Sequence, residues 1–206
     1  MRYIDSLTEL AEIYGDPMPT AIAKVADHLT AEYARWIAHS RFCILSTIGP
    51  DGTDGTPRGD DGPVVTIADS RTLLLPDWSG NNRTDSLRNI VSDPRLSLLF
   101  MVVGSNNVVR VNGSGKITVD KDMLERFGKQ GKRPRSVLVV TLDEVYYQCA
   151  KAVLRAGLWR EKPDLGDLPT AGDLLAAMTN GAAGGAAYDR GYEARAMAEL
   201  WVKPEE

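Results

Sequence analysis

Apolar residues recur along this chain at two different spacings, and the change between them near residue 41 divides it. Before that point the spacing is helical. Ser6-Leu7-Thr8-Glu9 has the form of a capping box, and Leu7, Leu10 and Ala11 follow at helical intervals. Beyond Pro17 and Pro19, the residues Ile22, Val25, Leu29, Tyr33, Trp36 and Ile37 share one stripe. That stripe predicts a single longer helix facing the sheet that follows. From residue 42 the pattern belongs to strands. Residues 42–48 form an apolar run that stops at Gly49-Pro50-Asp51-Gly52, and a Gly-, Asp-, Thr- and Pro-rich loop is expected to reach Gly62. Residues 64–68 and 72–75 predict a hairpin around Asp69-Ser70-Arg71.

A short helix is expected after Asn81-Asn82-Arg83, with Thr84 as its N-cap and Leu87, Ile90 and Val91 turned inward, ending at Asp93-Pro94. Strands follow at 96–103, 108–119 and 136–142, with a short helix at 122–127 and a further segment at 145–154. About six strands joined by hairpins and short connections favour an antiparallel barrel, because parallel pairing needs long crossovers. Helices are expected again in the Gly- and Ala-rich tail, near 171–178 and 187–201. The expected division is an N-terminal helical extension at 1–40, a barrel domain at 41–160 and a helical tail at 161–206 packed on the barrel.

Charge and composition narrow the function. The 24 basic and 28 acidic residues give a net charge of −4, which argues against a nucleic-acid binder. The most basic run, Lys129 to Arg135, reads as a solvated turn between a helix and a strand. Cys43 and Cys149 lie in apolar or strand-like stretches and read as buried free thiols of a reducing compartment. With no apolar stretch long enough to span a bilayer and no apolar leader after Met1, the expectation is a soluble, cytoplasmic protein without a membrane partner.

Several familiar sites fail on inspection. Gly113-Ser114-Gly115-Lys116 has Ile117 where a phosphate loop needs Ser or Thr. Neither a Rossmann glycine pattern nor a Gly-x-Ser-x-Gly elbow is present, and His28 and His39 lie on or near the N-terminal helix. Zinc-ligand spacing is missing, so no metal is expected. An enzyme built from this chain borrows its chemistry from a cofactor.

The richest stretch is Leu73-Leu74-Leu75-Pro76-Asp77-Trp78-Ser79-Gly80-Asn81-Asn82-Arg83-Thr84. A strand delivers amides, hydroxyls and an arginine to the start of a helix. Free N–H groups, the helix dipole and the permanent charge of Arg83 favour an anion there, although an ordinary capped helix explains the same residues.

Taken with Pro57-Arg58-Gly59-Asp60, Asp93-Pro94-Arg95, Arg110-Val111-Asn112-Gly113 and Cys149-Ala150-Lys151-Ala152, in that order, the stretch resembles the pyridoxamine 5'-phosphate oxidase-like FMN-binding split-barrel superfamily, over about residues 20–160. The likeness is to its branch of FMN-dependent enzymes with unassigned substrates. It implies an α+β fold: a six-stranded antiparallel split β-barrel with N- and C-terminal helical extensions. It further implies a homodimer with FMN at the subunit interface, acting on a small-molecule substrate or electron donor. By resemblance, Asp77 and Trp78 fall at the flavin-facing strand end, Asn81, Asn82 and Arg83 on the phosphate loop, and Arg58 on an earlier strand. Lys151, Arg155 and Trp159 fall where a second subunit reaches the flavin, and no catalytic residue is assigned. The chain departs from the vitamin B6 oxidase itself, which has Ser-Arg-Lys where this chain has Asn81-Asn82-Arg83. The oxidase's C-terminal Arg and His pattern is not matched by Tyr192, Arg195 and Trp201. The expected function is FMN-dependent oxidoreduction with hydride transfer through flavin N5, the alternative being a flavin-binding or flavin-storage protein without turnover.

Overall fold

The computed structural model describes residues 1–160 and 164–200, so Trp201 and the end of the tail lie outside the described residues. Three short helices come first: α1 (Leu7–Tyr14), α2 (Pro19–Ala23) and α3 (Ala31–Ala38). The strands are β1 (Phe42–Gly49), β2 (Gly52–Gly59), β3 (Thr66–Asp69), β4 (Thr72–Asp77), β5 (Arg95–Met101), β6 (Val108–Thr118) and β7 (Ser136–Gln148). Between them lie α4 (Asp85–Ser92) and α5 (Lys121–Arg126), and after them α6 (Lys151–Ala156), α7 (Ala171–Met178), α8 (Gly185–Asp189) and α9 (Tyr192–Glu199). The expected α+β architecture is observed, with helices flanking one antiparallel sheet in the order β2-β1-β5-β6-β7-β4-β3.

Seven strands rather than six make up this sheet. The additional one is β2, which the sequence pattern assigns to a loop. Its glycines and Pro57 carry no strand signature, and they are tolerated because β2 is an edge, hydrogen-bonded to β1 on one side only. Residues 145–148 continue β7, which pairs with β6 through a register shift at Asn112/Gly113. The other edge is β3, so the barrel is split between β2 and β3.

The inner face follows the period-two rule. Cys43 and Leu45 of β1, Leu96, Leu98 and Phe100 of β5, Val109 and Val111 of β6, and Leu138, Val140 and Leu142 of β7 are buried together. Ile90 of α4 and Ile37 of α3 join this core. Gly115 makes room for it, since a Cβ there would meet Leu96, Leu138 and Ile90 side chains at 2.7, 2.8 and 3.5 Å.

The long N-terminal helix expected over 22–37 is broken. Ala26 bridges Val145 of β7 through two backbone hydrogen bonds, of 3.0 and 2.8 Å, and Leu29 N–H donates to Ser70 O. Thr30 then caps α3, accepting from Tyr33 N. Pairing with the sheet outweighs helix continuity here, leaving Leu29 and Ile37 buried while Ile22 and Val25 are exposed. On α1, Ser6 caps the helix by accepting from Glu9 N, yet Leu7, Leu10, Ile13 and Tyr14 all face solvent. No helix among the described residues is long and apolar enough to cross a membrane.

Candidate functional site

Residues 78–84 leave β4 and enter α4 along a contorted path. Asn82 and Thr84 both have positive φ, 61° and 58°. Asn tolerates this region, whereas a β-branched residue enters it rarely and at a cost of about 1–3 kcal/mol. Thr84 stands at the N-cap position of α4 but makes no side-chain capping bond, contrary to the sequence expectation. Its left-handed backbone is the reason, because capping geometry requires an extended one. Asn81 Oδ1 accepts from Arg83 N at 3.1 Å and tightens the turn.

This loop forms one wall of a cleft of about 560 Å³, and β2 forms the other. Arg58, Asp77, Trp78, Asn81, Asn82 and Arg83 all line it, so the structure brings together every residue expected at the strand ends and loop. Arg58 Nη1 donates to Asp77 Oδ1 at 2.7 Å across the split in the barrel. Arg58 Nε is buried and without a hydrogen-bond partner among the described residues. The Arg83 guanidinium turns to Asp85, Nε to Oδ2 at 2.8 Å, and Ser86 Oγ donates to Asp54 on β2.

A larger cleft, of about 760 Å³, adjoins the first and shares Arg58, Trp78, Gly80 and Arg135 with it. Its far side carries Lys132 and Arg133, with Ala198 and Leu200 of the tail. The basic run Lys129–Arg135, expected as a solvated turn, is therefore part of the cleft walls. Lys129 anchors it on Asp60 and Asp61, and Lys132 Nζ donates to the carbonyls of Ala198 (3.4 Å) and Leu200 (3.1 Å). Burial pushes the Asp60 carboxyl above the usual carboxylate range and Asp61 adds to this, while Lys129 pulls it back. Arg135 ends the run with its N–H on Asp77 O at 2.9 Å and Nη1 on Asn82 Oδ1 at 2.5 Å. Sequence reasoning missed Arg135 as a site residue, since no local pattern links it to a loop 53 positions away.

Lys151, Arg155 and Trp159 line neither cleft. Lys151 and Arg155 lie on α6, and Trp159 Nε1 donates to Ser105 O at 2.7 Å in the β5–β6 connection. These residues follow the C-terminal end of β7, whereas Asp77 pairs with Ser136 at its start. Thirteen residues of strand carry the chain about 40 Å between the two places.

The family model described as pyridoxamine 5'-phosphate oxidase matches residues 29–149, more than half of the chain. The chain belongs to this family. Within it, the matched region runs from the approach to α3 through the end of β7 and takes in both edges of the split, the loop and all seven strands. No curated protein matches the chain. Solved structures similar to it include HupZ of Group A Streptococcus, at 15% identity, with 57% of this chain and 91% of that chain covered and a TM-score of 0.46. An FMN-binding protein from Syntrophomonas wolfei subsp. wolfei is 13% identical, with 57% and 85% covered and a TM-score of 0.45. General Stress Protein 26 from Bacillus anthracis str. Sterne is 18% identical, with 56% and 91% covered and a TM-score of 0.43.

Proposed function

We propose that this member of the pyridoxamine 5'-phosphate oxidase family is an FMN-binding flavoprotein and an FMN-dependent oxidoreductase of cytoplasmic small molecules. The observation that carries the reading is the cleft at the split. In it an arginine with an unsatisfied buried N–H, two amides and two further arginines converge on a loop held in a strained backbone. That donor set suits a phosphate monoester joined to a polar chain, and the neighbouring space beside Trp78 and Leu75 suits an aromatic ring system.

In this reading the phosphate sits against the loop that carries Asn81, Asn82 and Arg83. Arg58, kept in place by Asp77, and Trp78 border the ring. FMN, when bound, supplies hydride acceptance and donation at its N5 atom. Lys151 and Arg155 supply a cation that stabilises negative charge on the reduced ring, and Trp159 packs beside it. Because one chain keeps these three far from the cleft, the reading requires a homodimer in which a second copy brings them in.

An absorption spectrum between about 350 and 500 nm, taken after adding FMN and removing excess, tests the cofactor. A protein that stays colourless overturns the reading. Anaerobic reduction of the bound flavin by NADH or NADPH, followed by re-oxidation with an acceptor, separates an oxidoreductase from a storage protein.

A further inference from the structure

We infer that Arg135, rather than Arg83, is the cation that holds the FMN phosphate and so sets the preference for FMN over riboflavin. The inference rests on the flavin reading above. Three arginines line the 560 Å³ cleft, and they differ in what already offsets their charge. Arg58 is committed to Asp77 at 2.7 Å and Arg83 to Asp85 at 2.8 Å. The remaining carboxylate of the wall, Asp54, accepts from Ser86 Oγ. Arg135 donates to the neutral oxygen of Asn82 and makes no ion pair among the described residues. Among the described residues, its charge is the one in this wall that no carboxylate offsets, which is what a phosphate dianion requires.

Geometry reinforces the charge argument. Arg83 has a side chain 75% exposed, so water screens its charge. Arg135 is exposed too, but it is pinned from several directions. It follows buried Pro134, whose ring locks its own φ, its own N–H is bound to Asp77 O, and its guanidinium rests on Asn82. The same contact orients Asn82. With its carbonyl oxygen taken by Arg135, the side chain presents its NH₂ as the donating end. Arg135 thus provides a charge and sets the direction of a neighbouring amide, both toward an anion.

Fluorescence-quenching titrations of the full-length protein with FMN and with riboflavin test this. Arg135→Gln is expected to weaken FMN binding roughly 10- to 150-fold while leaving riboflavin, which lacks the phosphate, nearly unchanged. Arg83→Gln is expected to cost less than about fivefold. Arg135→Lys keeps a point charge but loses the fork, and recovers part of the affinity. Unchanged FMN affinity in Arg135→Gln, equal losses for both flavins, or a larger loss from Arg83→Gln overturns the assignment. A protein that binds neither flavin before any substitution overturns the flavin reading itself, a result distinct from these.

Discussion

Arg58 and Asp77 are joined by a 2.7 Å ion pair that crosses the split of the barrel. Arg58 lies on β2, one edge of the sheet, and Asp77 ends β4, next to the other edge. No backbone pairing joins β2 to β3 or β4, so this contact ties the two sides where the ladder does not. Side-chain exposures of 23% and 17% put the pair between surface and interior. It belongs to the cleft and to the scaffold at once.

The expected consequence is that Arg58→Ala affects both. On sequence grounds alone the substitution weakens FMN binding and leaves the apo protein as stable as before. The pair changes the second expectation, because truncating one partner leaves the half-buried Asp77 carboxylate uncompensated. Urea unfolding of the apo protein is expected to show a loss of about 1–2 kcal/mol, between the values for exposed and buried pairs. A double-mutant cycle with Asp77→Ala should return a coupling of similar size. No loss in the apo protein would assign Arg58 to ligand binding alone.

Gly113 marks the register shift between β6 and β7. A Cβ there would stand 2.1 Å from Thr141 O, and a backbone atom cannot rotate away as a side-chain tip can. Gly113→Ala is therefore expected to force the strands apart and destabilise the protein by about 3 kcal/mol, at the upper end for overpacking. Thermal melts measure this, and Gly55→Ala, at an open position of β2, is the control.

Burial raises the Cys43 thiol from 9.0 to about 12, against a smaller opposing pull from the charge of Arg58. The sign follows from linkage. A folded value above the unfolded one stabilises the fold below pH 9, and that contribution is lost as pH rises from 9 toward 12. The slope is about 1.4 kcal/mol per pH unit once the unfolded thiol ionises. Denaturation midpoints of Cys43→Ala are expected to fall less steeply over this range than those of the unaltered protein. In thiol titration at pH 8 the native protein should show rapid reaction at exposed Cys149 alone, and both thiols should react after unfolding. Rapid reaction of two native thiols would contradict the burial of Cys43.

The shared-site arrangement predicts a homodimer of about 45 kDa, twice the 22.5 kDa chain, by light scattering at micromolar concentration. Lys151→Ala and Arg155→Ala should weaken flavin binding in the dimer without changing apo stability by more than about 0.5 kcal/mol, since both side chains are exposed in one chain. A monomer with FMN still bound would remove the reason for placing them at the cofactor.

The sequence by itself determined the strands that bury one face and the loop that interrupts them. Alternation along 96–101 and 108–118, and the run at 136–142, reports burial locally, because a strand's side chains point to opposite faces at every step. The order Leu75-Pro76-Asp77-Trp78 then Asn81-Asn82-Arg83 likewise shows polar groups delivered from a strand to a helix start. Tertiary structure alone decided the rest. Thr53, Gly55 and Pro57 form a strand only because β1 offers an unpaired ladder beside them, and residues 24–30 leave the helical path because Val145 offers a bridge. The pairing of Arg135 with Asn82, and of Arg58 with Asp77, depends on which strand ends the register brings side by side. Polar contacts of that kind leave no periodic trace, because their partners are set by the path of the whole sheet and not by neighbours along the chain.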